Sequence, residues 1–126
     1  MINGKHPPKY LNLLQIRQPV TAVTSILHRV SGVWLFLCAP WVIYLLQLSL
    51  SSEQGFERSR YLLTLFPVKL LLGITLWAAV HHLFAGIRFL LLDIDVGIDL
   101  AAARRSAWGV NVAALVVALI FGLWAL

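Results

Sequence analysis

Apolar positions in this chain gather into three long stretches, from about Thr21 to Leu50, Tyr61 to Leu92 and Ala107 to Leu126. A helix needs roughly 20 residues to cross a hydrocarbon core about 30 Å thick, and each stretch supplies that length. Polar residues fall between them. Met1 to Val20 is a Pro-containing arm, Ser49 to Arg60 reads as a short polar loop, and Asp93 to Arg105 reads as a second. The pattern predicts an all-α fold of three transmembrane helices. The arm is 1–20, helix I about 21–50, helix II about 61–92 and helix III about 107–126. These form a single membrane-anchor domain over 1–126, without an internal repeat or low-complexity tract.

Composition agrees with that reading. The chain is 60% hydrophobic and 12% charged, which is too apolar for a soluble domain of 126 residues. The first apolar stretch is long, carries His28 and Arg29 near its start and lacks a small-residue cleavage site, so it is not expected to be a cleaved signal peptide. One cysteine, Cys38, excludes an intrachain disulfide and reads as a packing residue. The net charge of +5 flanks the apolar stretches, so it speaks for topology and lipid headgroups and against nucleic acid. Lys5, Lys9 and Arg17 of the arm must share a side with Arg88, Arg104 and Arg105. The first loop offers only Arg58 and Arg60. The positive-inside rule therefore places the N-terminus and the second loop in the cytoplasm.

That topology brings chemistry together. Helix I starts, and helix II ends, on the same side. His82 precedes Arg88 by six residues, about 9 Å of helix. Ser25, His28, Arg29, His82 and Arg88 then share one leaflet. An imidazole inside an apolar stretch marks a functional site, because lipid solvates it poorly. Gly86 lies at i+4 from His82, on the same face, and leaves room for a flat group against the backbone. This suits a porphyrin whose iron takes His82 as an axial ligand. A histidine bonded across a helix interface or serving as a proton relay fits the same position. His81 points about 100° away, cannot share an iron with His82, and reads as a packing histidine. A second iron ligand must come from elsewhere, His28 or, better, a partner subunit, because three helices are a thin container for a porphyrin.

On helix I, Ser25 and Arg29 stand at i, i+4, and Gly32 continues their stripe. A hydroxyl donor beside a fixed cation suits a carbonyl oxygen that becomes negative on reduction, as in a quinone. His28, about 100° away from Arg29, faces another neighbour and suits a haem propionate. The same residues also fit a plain membrane role, with Arg29 snorkelling to headgroups, His28 interfacial and Ser25 bonded back to its own helix. The tryptophans read mainly as interfacial or packing residues.

Two motifs then carry a resemblance. Ser25-Ile-Leu-His28-Arg29-Val-Ser31-Gly32 resembles the helix I signature of the cytochrome b subunits of succinate dehydrogenase. His82-x-x-x-Gly86-Ile87-Arg88, followed by Asp93, resembles their helix II signature. The run Ser51-Ser52-Glu53-Gln54-Gly55-Phe56-Glu57 looks like the enterobacterial type of this membrane anchor. The resemblance covers essentially the whole chain. It implies that His82 is the axial ligand of haem b, with the other ligand from a companion anchor subunit, so that the chain is part of a multi-chain helix bundle. It implies that Ser25 and Arg29 line a ubiquinone site and that His28 and Arg29 lie near the haem propionates. Its partners would be that second anchor, an iron–sulfur subunit and a flavoprotein, with FAD and iron–sulfur clusters held only there. The family often has histidine directly after Gly-Ile-Arg. Phe89 stands there instead, so no role of that histidine carries over.

The expected function is a haem- and quinone-binding anchor of succinate:ubiquinone oxidoreductase (respiratory complex II) in a bacterial inner membrane. The chain would be a non-autonomous part of the enzyme and would not touch succinate. A quinol:fumarate reductase anchor, a haem-free structural anchor and a small proton-relaying transporter subunit are the alternatives.

Overall fold

The computed structural model describes residues 16–125. Most of the arm, including Lys5 and Lys9, lies outside the described residues. Four helices follow in order: α1 (Val20–Ser51), α2 (Glu53–Thr64), α3 (Phe66–Asp93) and α4 (Leu100–Ala125). Three of them are long and apolar enough to cross a membrane, namely Val20–Ser51, Phe66–Asp93 and Leu100–Leu123. The fold is an all-α membrane helix bundle, and α3 packs against both α1 and α4.

The element ends differ from the sequence reading in three places. The segment Ser49–Arg60, expected as a loop, is almost wholly helical. Only Ser52 leaves the helical region, at φ −169° and ψ 166°. Its hydroxyl accepts from the Gly55 amide at 3.0 Å, the bond that starts α2, and Glu53 places an anion at the positive end of that helix. Gly55 is required by close approach, because a Cβ there would run into the Leu48 carbonyl of α1. Ser59 is buried on the same contact, its hydroxyl bonded to Gly55 O at 2.9 Å. The expected helix II also begins later. Pro67 has no N–H for the Leu63 carbonyl and its ring would strike it, so α2 stops at Thr64 and α3 restarts with proline in its first turn.

Helix α4 begins seven residues earlier than expected. Asp99 caps it, with Oδ1 accepting from the Ala102 amide at 2.9 Å. Arg104 and Arg105 are therefore helical. The link shrinks to 94–99, where Asp95 and Gly97 take φ 62° and 76°. Aspartate and glycine are the residues that tolerate this left-handed turn.

The buried apolar residues among those described are all alanines, Ala78, Ala85, Ala107 and Ala114, while the buried polar ones include Thr24, Ser31, His81 and Arg88. Most of the large apolar side chains are exposed. This inverts a soluble core. In lipid, large apolar side chains lose nothing by facing out, small residues let backbones approach, and polar groups must pair inside. On α3 the buried stripe runs Ala78, His81, Ala85, Arg88, spacings of 3, 4 and 3 that define one helix face.

Candidate functional site

The site lies where α1 crosses α3. His82 turns toward α1, and its Nδ1 sits 3.1 Å from the backbone carbonyl of His28 and 3.3 Å from Ser31 Oγ. The Ser31 hydroxyl itself donates to that carbonyl, at 2.9 Å. A carbonyl oxygen only accepts, so the short contact requires the proton on Nδ1. The Nε2 lone pair is then left free. A histidine whose Nδ1–H is held by a carbonyl, with Nε2 exposed as a base, is the usual arrangement of a metal-ligating imidazole.

Two glycines shape the surroundings. A Cβ at Gly32 would stand 2.9 Å from His82 Cε1 and 3.3 Å from Nδ1, so the bare backbone of α1 is the notch that receives the ring. At Gly86, where the sequence suggested room for a porphyrin, a Cβ would lie 3.6 Å from Nε2 of the His28 imidazole. The His28 ring stacks on His82 with centroids 4.2 Å apart and planes 9° from parallel. Phe89, in the place of the family's histidine, closes the far side of His28 at 5.2 Å.

This stacking separates the two histidines' roles. Rings lying face to face cannot direct a nitrogen each at one iron from opposite sides. His28 is thus not a second axial ligand to an iron on His82. The described residues contain no group of three or more His, Cys, Asp or Glu placed to hold a bare metal ion. A haem iron asks less of this chain: one free imidazole nitrogen, an oriented ring and an open side. His82 offers all three, so the residues present fit the group.

Ser25 and Arg29 stand on the α1 stripe that leads to Gly32. Ser25 is half-buried and Arg29 exposed, and among the described residues neither makes a side-chain hydrogen bond or ion pair. Arg88 differs. It is buried toward α4, donating from Nε to Ser106 Oγ at 3.0 Å and from Nη2 to Ala103 O at 3.2 Å. It ties α3 to α4 and does not join the His82 cluster.

His81, 100° around the helix from His82, is fully buried against α4, its Nε2 3.1 Å from Asn111 Oδ1. Thr24 of α1 reaches the same oxygen at 3.2 Å. This triad joins three helices, and among the described residues His81 Nδ1 has no partner. Trp34 adds a tie between α1 and α3, its indole N–H donating to Thr75 Oγ1 at 3.1 Å. Cys38 packs against the same threonine. The sequence reading gave no role to Ser31, Thr24 or Asn111. For Ser31 the signal was present in its spacing from His28, since a serine at i+3 reaches back to that carbonyl. A lone asparagine in helix III carried a weaker one.

Comparison with known proteins places the chain in context. Residues 3–121 match the family described as succinate dehydrogenase/fumarate reductase transmembrane subunit. A protein of Coxiella burnetii named succinate dehydrogenase cytochrome b556 subunit is 37% identical over 124 residues, covering 98% of both chains. Proteins of the same name from Rickettsia typhi and Paracoccus denitrificans are 30% and 25% identical, over 88% and 94% of this chain and 86% and 92% of theirs.

Proposed function

The chain belongs to the succinate dehydrogenase/fumarate reductase transmembrane subunit family, and from that premise we propose that it is the haem b- and quinone-binding anchor of a bacterial succinate:ubiquinone oxidoreductase. The observation that carries the proposal is the setting of His82: Nδ1 lies 3.1 Å from the His28 carbonyl, and among the described residues Nε2 has no hydrogen-bond partner.

In this reading His82 would hold the haem iron through Nε2, and a companion anchor subunit would supply the other iron ligand. The haem, when bound, supplies a one-electron redox centre within the membrane. This chain's own residues do the rest. Ser31 and the His28 carbonyl fix the orientation of the ring. His28 and Arg29 would hold the haem propionates as donors. Ser25 donates to a quinone carbonyl and orients the ring. The Arg29 guanidinium supplies positive potential where negative charge grows on the quinone oxygen during its reduction. Electrons reach the quinone from succinate through the flavoprotein and iron–sulfur subunits, with the N-terminus and the α3–α4 link on their cytoplasmic side of the inner membrane.

The test is a reduced-minus-oxidised optical spectrum of the affinity-purified complex, wild type against His82→Leu. Loss or displacement of a b-type haem signal in an assembled mutant complex is expected. An unchanged signal removes His82 from the iron, and no signal in the wild type leaves a haem-free anchor. Comparing succinate:quinone with quinol:fumarate rates in the same preparation sets the direction of flux. The proposal expects succinate oxidation to dominate.

A further inference from the structure

A second feature lies on the opposite side of α3. Between α3 and α4 runs an apolar groove of about 790 Å³, lined by Phe66, Gly73, Trp77, Leu115, Gly122 and others, with one charged residue, Lys69. Gly73 and His82 are nine residues apart. Nine residues are two and a half turns, which puts them on opposite sides of the helix. A companion helix seated against His82 would therefore meet α3 on the face opposite this groove. That placement rests on the proposed function, whereas the groove and its charge do not.

Along α3 the groove extends from Phe66 to Trp77, about 16 Å at 1.5 Å per residue. This is roughly half of a 30 Å hydrocarbon core, the depth of one lipid leaflet. Its hollow comes from Gly73 and Gly122, where an added Cβ would meet nothing within 4 Å. Lys69 stands one turn into α3, at the outer end of the groove, and among the described residues it forms no ion pair. The shape is a channel one leaflet deep, apolar along its length and cationic at the mouth.

We propose that this groove is a binding site for one anionic phospholipid, an acyl chain lying over Gly73 and Gly122 and the phosphate held by Lys69. Lysine is suited to the task, since its apolar stem lies along the groove while the ammonium reaches the headgroup level. One lysine at a membrane surface favours an anionic over a neutral headgroup by about fivefold.

The test uses the intact complex exchanged into nanodiscs of equal phosphatidylglycerol and phosphatidylethanolamine, followed by native mass spectrometry of the lipids it retains. Wild type is expected to keep phosphatidylglycerol in excess. Lys69→Gln should reduce that preference about fivefold while still retaining lipid. Gly122→Leu, which fills open space, should lose the bound lipid altogether. Wild-type retention in the input ratio, or unchanged retention in Gly122→Leu, overturns the proposal. So does loss of the companion anchor from Gly122→Leu, because the groove would then seat a helix. The haem spectrum should be the same in all variants, so the lipid result stands or falls apart from the assignment of His82.

Discussion

Gly32→Ala is the sharpest probe of the site, because the structure sets its size. The new methyl would stand 2.9 Å from His82 Cε1. Carbon atoms pack at about 3.5 Å or more, so the ring must retreat by about 0.6 Å. Its other side is already stacked on His28 at 4.2 Å. Its Nδ1 is held by the His28 carbonyl at 3.1 Å. A retreat of that size stretches the bond to about 3.7 Å, past the range in which it counts as a hydrogen bond. The loss in stability is modest, about 0.5–1.5 kcal/mol, so the complex should still assemble. The loss to the metal should be larger. An unsupported imidazole ligand typically costs 10–100-fold in metal affinity. The assay is haem per assembled complex, from reduced-minus-oxidised spectra through graded detergent washes, together with the midpoint potential. Gly86→Ala is the control, because its methyl would meet His28 Nε2 at an ordinary 3.6 Å. Wild-type haem content and potential in Gly32→Ala would refute the reasoning. If Gly86→Ala sheds haem as readily, the porphyrin and not His28 rests on that glycine.

Further outcomes follow from other contacts. Arg29→Ala should lower succinate-driven quinone reduction by on the order of 10²-fold in an intact complex, and full turnover would end the quinone-site assignment. Asn111→Leu leaves both nitrogens of the fully buried His81 without partners and should destabilise by about 1–3 kcal/mol. His81→Leu, which also removes the unpaired Nδ1, should cost less and keep the haem spectrum; thermal melts and spectra of both complexes decide this. Arg88→Lys should cost about 1.5–3 kcal/mol, since a single ammonium cannot reproduce the forked bonds to Ser106 and Ala103. A lysine variant with the wild-type melting temperature would show that the fork is dispensable.

The difference between what the sequence disclosed and what it hid has one physical origin. The three apolar helices were legible because crossing a bilayer is a requirement of length and hydropathy, both of which are one-dimensional. So was the 100° divergence of His81 from His82, a property of a single helix. The termini of α2 and α4 were less legible. They are decided by single capping bonds at Ser52 and Asp99 and by the missing N–H of Pro67, and these local competitions outweigh the polar composition that suggested loops. The site was legible only in half. His82 and the Ser25–Arg29 pair stood out as polar residues in apolar stretches, but the parts that orient His82 are the bare backbone of Gly32 and the carbonyl of His28. A glycine's absent side chain and a backbone oxygen leave no chemical mark in a sequence until a neighbouring helix is brought against them. In a lipid-facing bundle whose buried apolar residues are alanines, specificity rests heavily on such contacts, because large apolar side chains gain little by choosing one helix neighbour over lipid. Polar residues and glycines at helix crossings thus carry the fold and the site together, and Gly32→Ala tests both at a single position.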